Sequence, residues 1–529
     1  MKEYSYKPRE YLLIGNLDFY DNLVILIYFA VVFLIGIISA RGKGKSAKSY
    51  FLADKKMGWI AIGTSLFATN ISSEHLVGLA GASSAHGFSV GHFEWLAVLS
   101  LFMLGWVFAP VFIRADVYTI PEFLGKRFNK KCRTYLSVVS IFSYLFTKIA
   151  VTLLAGSYLL NKLLGWDMFI AAILIVLLTG IYTLVGGLSS VIRTQVFQAF
   201  VLILGSLLLT IYGLNEVGGI SALITKLPPG YLTIFKPFSD PDFPWTGILL
   251  GAPILGIWYW CTDQYIVQRI LGAKGIKDAK KGTALAAGLK TIPILLLIFP
   301  GLISAVLYPE VKGDEAYTYL IAGNLLPIGI KGIVIAGMFA ALMSSLASAF
   351  NSTATLIAID FVKANKPNIS ENELILIGRL STMLIVIIAI GIIPALKMVN
   401  TQMYVYLQSM QAFISPPIAS VFLIGIFWKK ATSKGAIWSL TIGGVLGLTR
   451  IIIALLDKSF VEGSWLLNIY ANVNYLHFAV LLFLFSTFIL VVVSLADQKS
   501  NLFEYNLSIM DVKDKELGLI TPSSKLKRE

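Results

Sequence analysis

Charge is scarce in this sequence of 529 residues: Asp, Glu, Lys and Arg make up 14% of it, against 57% for apolar residues. That balance excludes a soluble globule with a polar coat. Cysteine is scarcer still, with two residues, Cys132 and Cys261, in or near different hydrophobic runs, so no disulfide framework is implied. His75 has no second ligand at metal-binding spacing, and no HExxH, CxxC, GxSxG or Walker-type motif occurs. No catalytic constellation is visible, so an enzyme is not expected, and a nucleotide-driven pump lacks its motif. Acid is short relative to base, giving a net charge of +14. The bases cluster between hydrophobic runs rather than along a groove, which favours positive-inside membrane topology over nucleic-acid binding.

What the chain has instead is hydrophobic runs of spanning length. About thirteen are predicted by the ~20-residue criterion, at 22–40, 58–82, 90–112, 134–162, 166–186, 190–213, 246–268, 283–307, 331–359, 374–395, 402–428, 435–456 and 474–496. The first lacks a preceding basic region and a cleavage site, so it reads as a retained helix. The basic loops 41–56, 114–133, 269–281 and 429–434 share one parity, which places them in the cytoplasm, the N-terminus outside and the polar tail inside. Two longer exterior connections, 214–245 and 308–330, are expected to form lids or short surface helices.

Two runs are interrupted by polar residues: the second by ATNISSEH and the seventh, five spans later, by WYWCTDQ. Broken backbone at membrane depth is tolerated where it lines a site, and paired interruptions in matching halves point to a transporter of inverted repeats. The ninth run contains MSSLASAFNSTAT. Ser348 and Ser352 read as small packing residues there, whereas the Ser344 and Ser345 hydroxyls, with carbonyls freed by the break in the second run, suit a sodium ion.

Glu94, Lys290 and Asp263 are ionisable residues in or near spans and so functional candidates; for Asp263 a structural ion pair is the equal alternative. Hydroxyls of a polyol need acceptors and donors. Glu94 accepts, Lys290 donates, and Asn70, His75 and Gln408 supply either. Phe93, Trp258, Tyr259 and Trp260 suit either an apolar sugar face or ordinary packing.

LFATNISSEHLVGLAG, GHFEW, VYTIPEFLGKRFNKK, WYWCTDQYIVQR, MSSLASAFNSTAT and VFLIGIFWKK together resemble the sodium:solute symporter family, and within it the sodium/glucose (galactose) cotransporters, over roughly residues 51–495. The resemblance implies an all-α polytopic LeuT-type fold, two inverted five-helix repeats with extra terminal helices. The expected division is 1–57 for the extracellular N-terminus, first helix and basic loop, 58–213 for the first repeat, 214–245 for an extracellular connection, 246–428 for the second repeat, 429–496 for additional helices and 497–529 for a cytoplasmic tail.

It also implies sodium ligands at Ala68, Ile71 and Ala341 through main-chain carbonyls and at Ser344 and Ser345. Sugar contacts carry over to Asn70, His75, Glu94, Lys290 and Gln408, with Trp260 lining the pocket, Tyr259 as inner gate, and Phe93 and Tyr404 towards the outer gate. Gly256 stands where other members place a side-chain contact. Gln195 replaces an Asp found in many members, and Ala347 replaces a hydroxyl of members that couple a second sodium.

The expectation is a sodium-coupled symporter importing glucose or galactose, one sodium per sugar, without a cofactor. Its partners are sodium, a monosaccharide and the lipid bilayer, with no nucleic acid, in a cell membrane such as the bacterial inner membrane. A myo-inositol or other polyol symporter, or a sodium-dependent sugar sensor or channel of the same fold, is the alternative.

Overall fold

The computed structural model describes residues 17–40, 46–311, 313–323, 325–393, 403–456 and 463–497. The predicted extracellular N-terminus and the tail after Asp497 lie outside the described residues. Within them all extended secondary structure is helical, as apolar solvent requires of a chain that must satisfy its own backbone groups.

In chain order the helices are α1 (Phe19–Ala40), α2 (Ala47–Leu52), α3 (Trp59–Asn70), α4 (74–86), α5 (92–114), α6 (Ile120–Arg127), α7 (Lys130–Leu164), α8 (168–186), α9 (188–217) and α10 (Ile220–Lys226). There follow α11 (245–262, in short pieces), α12 (Gln264–Leu271), α13 (Ile276–Leu289), α14 (294–307), α15 (Ala316–Ala322) and α16 (Ile330–Lys363). The last five are α17 (Glu371–Ile392), α18 (Met403–Phe427), α19 (Ser433–Leu455), α20 (Trp465–Asn472) and α21 (Tyr475–Ala496). The connections 214–245 and 308–330 contain α10 and α15; α10 buries only Leu223, as suits a surface helix, whereas α15 buries five of its seven residues and packs into the body of the fold.

Ten helical runs are long and apolar enough to cross a bilayer. The expected thirteen crossings reappear when two of these are divided and the broken crossing α11–α12 is added. Glu74–Arg114 is divided at the tight turn 87–91 between α4 and α5. Met168–Val217 runs as 50 helical residues, which as a straight helix would span ~75 Å at about 1.5 Å per residue. It folds back instead at Gly187, where φ is 53° and ψ −149°. Tyr182 and Thr194 both come within 4 Å of the Cβ position at Gly36, although a straight helix would hold them ~18 Å apart.

Around this frame, α16 is buried along nearly its whole length and packs against α8, α9, α1 and α3. Close approach is needed where α3 meets α13: a Cβ on Gly63 would lie 2.8 Å from the Gly282 carbonyl oxygen. On the predicted cytoplasmic side, Met57 N–H donates to Gly272 O and Lys274 N–H to Met57 O, stapling the entry of α3 to the exit of α12. Nearby, Lys55 pairs with Asp116, and that hydrogen bond holds the Asp116 carboxyl below its usual range.

The bend at Gly187 gives a direct test. A Cβ there meets Tyr50 O at 2.4 Å and the backbone lies where L residues are strained. Gly187→Ala is therefore expected to destabilise the protein by about 1–3 kcal/mol, read as a lowered thermal-shift midpoint in detergent. Gly391→Ala, a helical position whose added Cβ meets nothing within 4 Å, does not lower the midpoint.

Candidate functional site

The first break follows directly from its residues. Asn70, Ser72 and Ser73 offer the backbone side-chain hydrogen bonds that compete with a helix. α3 ends at Asn70, Ile71 is extended (φ −76°, ψ 110°), and helix resumes at Glu74. The carbonyls at the end of α3 thus lose their intrahelical partners.

α16 answers them with hydroxyls. Ser344 Oγ lies 2.8 Å from Ala68 O and 3.0 Å from Ala341 O, and Ser345 Oγ donates to Thr69 O at 3.1 Å. Four of the five residues expected at the ion site, Ala68, Ala341, Ser344 and Ser345, therefore meet at one junction. Ile71 follows in the extended turn beside them and is buried. No group of three His, Cys, Asp or Glu suited to a metal exists among the described residues, so the junction offers only neutral oxygens, a set that suits a monovalent hard cation.

Beside it, of the two positions where the chain departs from members that couple a second sodium, Ala347 is buried without a polar side chain and Gln195 is engaged by protein partners. The Gln195 amide donates to Thr69 Oγ1 at 3.0 Å, Ser344 O at 2.9 Å and Ser348 Oγ at 2.7 Å, and its oxygen accepts from Ser65. The guanidinium of Arg269, wholly buried, also reaches Ser348 and donates to Tyr265 O at 2.5 Å. Ser348 and Ser352 are more than packing residues: each is hydrogen-bonded across helices, Ser352 to Gln268 at 2.9 Å.

All nine expected sugar and gate residues line one cavity between the two breaks: Asn70, His75, Phe93, Glu94, Tyr259, Trp260, Lys290, Tyr404 and Gln408. Lys290 caps the C-terminal end of α13, where positive charge is favoured. Its ammonium pairs with Glu94 and donates to Asn70 Oδ1 at 2.5 Å, 5.6 Å from the Trp260 ring centroid. Asn70 Nδ2 in turn donates to the Tyr259 hydroxyl at 3.0 Å, and His75 Nε2 is 3.9 Å from Glu94 Oε1. Lys290, Glu94, Asn70 and Tyr259 are thus paired with one another, while His75 Nδ1 is buried without a hydrogen-bond partner among the described residues, around a cavity of about 70 Å³, well below the roughly 300–1,000 Å³ of ligand pockets. A hexose would enter by exchanging these pairs for its own hydroxyls.

Above the cavity, rings form a ladder from the exterior connection inward: Phe243 to Phe93 at 6.3 Å, Phe93 to Tyr404 at 5.9 Å and Tyr404 to His75 at 6.3 Å between centroids. Below it, Asp263 forms no ion pair within 4 Å among the described residues. It caps α12 instead, accepting from Tyr265 N at 3.1 Å and from the Tyr144 hydroxyl. The structural alternative for this residue is therefore a helix cap rather than an ion pair.

Two charged residues in the cavity wall carried no expectation. Glu74 accepts from Thr152 Oγ1 at 3.2 Å. Lys148, 3% exposed, sits 4.1 Å over the Tyr259 ring centroid and 5.1 Å from that of Tyr265, contacts worth about 2 kcal/mol where water is excluded. Its signal was present in the sequence: FTKIA puts a lone lysine inside an otherwise apolar span, which marks an intramembrane ionisable group. Three wide π-type turns, 74–79, 144–149 and 257–262, present Glu74, His75, Lys148, Tyr259 and Trp260 to the cavity, consistent with the tendency of such turns to mark sites.

The comparisons with known proteins agree with this architecture. The sequence model of the sodium:solute symporter family matches residues 50–443. Sodium/glucose cotransporter 1 of Sus scrofa is 39% identical over 521 residues, covering 90% of this chain and 78% of that protein. The sodium/myo-inositol cotransporter of Homo sapiens is 38% identical, covering 83% and 67%. Among solved structures, the substrate-bound outward-open state of a Na+-coupled sialic acid symporter superposes with a TM-score of 0.79 at 23% identity, covering 90% of this chain and 98% of that one. The fold is accordingly the LeuT-type helical fold.

The Lys290–Glu94 pair generates a test independent of any ligand. Lys290→Ala strands a buried carboxylate and is expected to destabilise by about 3–5 kcal/mol. Adding Glu94→Gln should recover most of that loss in a thermal-shift double-mutant cycle; simple additivity of the two losses would count against the pairing.

Proposed function

The chain belongs to the sodium:solute symporter family, and on that premise we propose that it is a sodium-coupled importer of a monosaccharide, glucose or galactose, in the cell membrane. It carries out transport rather than catalysis. The observation that carries the reading is the shared break at 68–75: Ala68 and Thr69 turn carbonyls towards the hydroxyls of Ser344 and Ser345, while Asn70 and His75 face the cavity.

Sodium bound among Ala68 O, Ile71 O, Ala341 O, Ser344 Oγ and Ser345 Oγ would replace the hydrogen bonds that now cross this junction and fix the turn in one geometry. A sugar would then find Asn70 placed to accept and donate, Glu94 to accept, Lys290 to donate, and His75 and Gln408 to complete the set. Trp260 offers a ring to the apolar face. Phe93 and Tyr404 lie towards the outside and Tyr259 towards the inside, so closing one set while opening the other gives alternating access. Coupling comes from differential affinity of the two states.

One sodium per sugar is the proposed stoichiometry, because the Gln195 amide and Arg269 occupy the oxygens that a second ion would need. One charge moving through 100 mV is worth about 2.3 kcal/mol and a tenfold sodium gradient roughly 1.4 kcal/mol. Together they sustain roughly several-hundred-fold accumulation. Similarity to the myo-inositol cotransporters supports a second reading, in which the same array of donors and acceptors takes a cyclic polyol.

Uptake of labelled glucose, galactose and myo-inositol into proteoliposomes under an inward sodium gradient separates these. The expected result is sodium-stimulated uptake of a hexose with a Hill coefficient for sodium near one. Absence of stimulation with all three solutes would overturn symport, and a coefficient near two with matching charge flux would overturn the stoichiometry. Ser344→Ala is expected to raise the half-saturating sodium concentration about tenfold, the loss of ~1.4 kcal/mol of ion binding, while sugar binding persists at saturating sodium.

A further inference from the structure

Lys148 has no part in the transport scheme above, yet it lies over the inner-gate ring of Tyr259 and over Tyr265, which reaches back to the first break. It lies on α7 between Tyr144 and Thr152, and the three are spaced four apart, the spacing of one helix face. Thr152 meets the first break twice: its carbonyl accepts from Ser73 Oγ at 3.0 Å and its hydroxyl donates to Glu74 at 3.2 Å. Tyr144 meets the second break twice: its hydroxyl donates to Asp263 and accepts from Tyr265 N at 3.0 Å.

Lys148 bridges what remains. Its ammonium lies over Tyr259 on the outer side of the second break and over Tyr265 on the inner side, and Tyr265 OH donates to Thr69 O at 2.7 Å, back at the first break. Each break also carries one buried carboxylate, Glu74 at the first and Asp263 at the second. Neither carboxylate comes within 4 Å of it, and no other ion pair to Lys148 exists among the described residues.

We infer that Tyr144, Lys148 and Thr152 form a stripe of positioning residues tying the two broken crossings together, with Lys148 holding the inner gate shut while the cavity loads. Resting on two aromatic faces rather than locked in an ion pair, the ammonium keeps Tyr259 and Tyr265 in register across the second break. A solute hydroxyl reaching Glu74 changes the field the ammonium feels, so loading of the cavity is transmitted to the inner gate. Removing the charge uncouples the two events and leaves binding in place.

The test rests on the symport reading and uses the full chain in proteoliposomes with whichever labelled solute wild type accumulates. Lys148→Met keeps the stem and removes the charge. Expected are sodium-dependent equilibrium binding of that solute within about threefold of wild type, accumulation lowered at least about tenfold, in the usual range of coupling effects, and a raised leak of labelled sodium without solute. Lys148→Arg should regain most of the accumulation. The inference is overturned if Lys148→Met accumulates as wild type does, or loses binding and accumulation in equal proportion. If that variant does not fold, Thr152→Val, which is isosteric, must lower accumulation with binding retained; wild-type accumulation by it overturns the inference equally. Failure of wild type itself to take up any solute with sodium would instead count against the symport reading.

Discussion

A backbone that leaves its helix inside a bilayer must find other partners for its polar groups, and everything else at this site depends on that constraint. α3 stops at Asn70, and the carbonyls it frees are met by Ser344, Ser345 and Tyr265. Ser73, in the same turn, reaches the Thr152 carbonyl. At the second break Asp263 caps the restarting helix with its own carboxylate. The partners come from α7, α12 and α16, so these helices are fixed around the breaks by hydrogen bonds whose loss would strand polar groups in an apolar medium.

The partners are not equivalent, and the difference separates an ion site from a structural cluster. Hydroxyls on carbonyls, as at Ala68 and Ala341, can turn their lone pairs towards a cation and give up the hydrogen bond. An amide NH2 on three oxygens, as at Gln195, presents hydrogen where a cation needs lone pairs, and the permanent charge of Arg269 beside it repels a second ion. On the proposed reading, two adjacent oxygen-rich junctions on α16 thereby acquire opposite characters through Gln195 and Arg269.

Much of this was legible in the sequence. Both breaks stand out because polar residues interrupt apolar runs five spans apart, and the resemblance carries nine cavity residues to positions that share a single wall. The crossings were legible too, although the bend at Gly187 shows helix content alone running two of them together. Less legible were contacts made by residues whose character depends on a distant partner. Phe243 lies in the connection 214–245, and nothing in its local sequence marks Phe93, far earlier in the chain, as its packing partner. Ser348 reads as a small packing residue until Gln195 and Arg269 converge on it. Asp263 is equally at home in an ion pair or a cap, and only the geometry of Tyr144 and Tyr265 decides. Lys148 is a lone intramembrane lysine and so a strong signal in itself, but its partners are ring faces, which have no sequence signature.

On the proposed reading, Asn70 is what lets one break serve two ligands. It follows Ala68 and Thr69 directly, so any geometry that an ion imposes on those carbonyls is passed through two peptide planes to its amide. That amide joins Lys290 on one side to Tyr259 on the other, a cavity donor to the inner gate. A solute that engages Asn70 must compete with both contacts, and it does so most favourably when the turn is already held. By linkage the reverse follows with the same factor: solute on Asn70 strengthens ion binding at the Ala68 junction as much as the ion strengthens solute binding. In the proposed cycle the coupling free energy would therefore reside in the few backbone dihedrals between Ala68 and Ser73, and side chains elsewhere in the cavity would set which solute benefits from it.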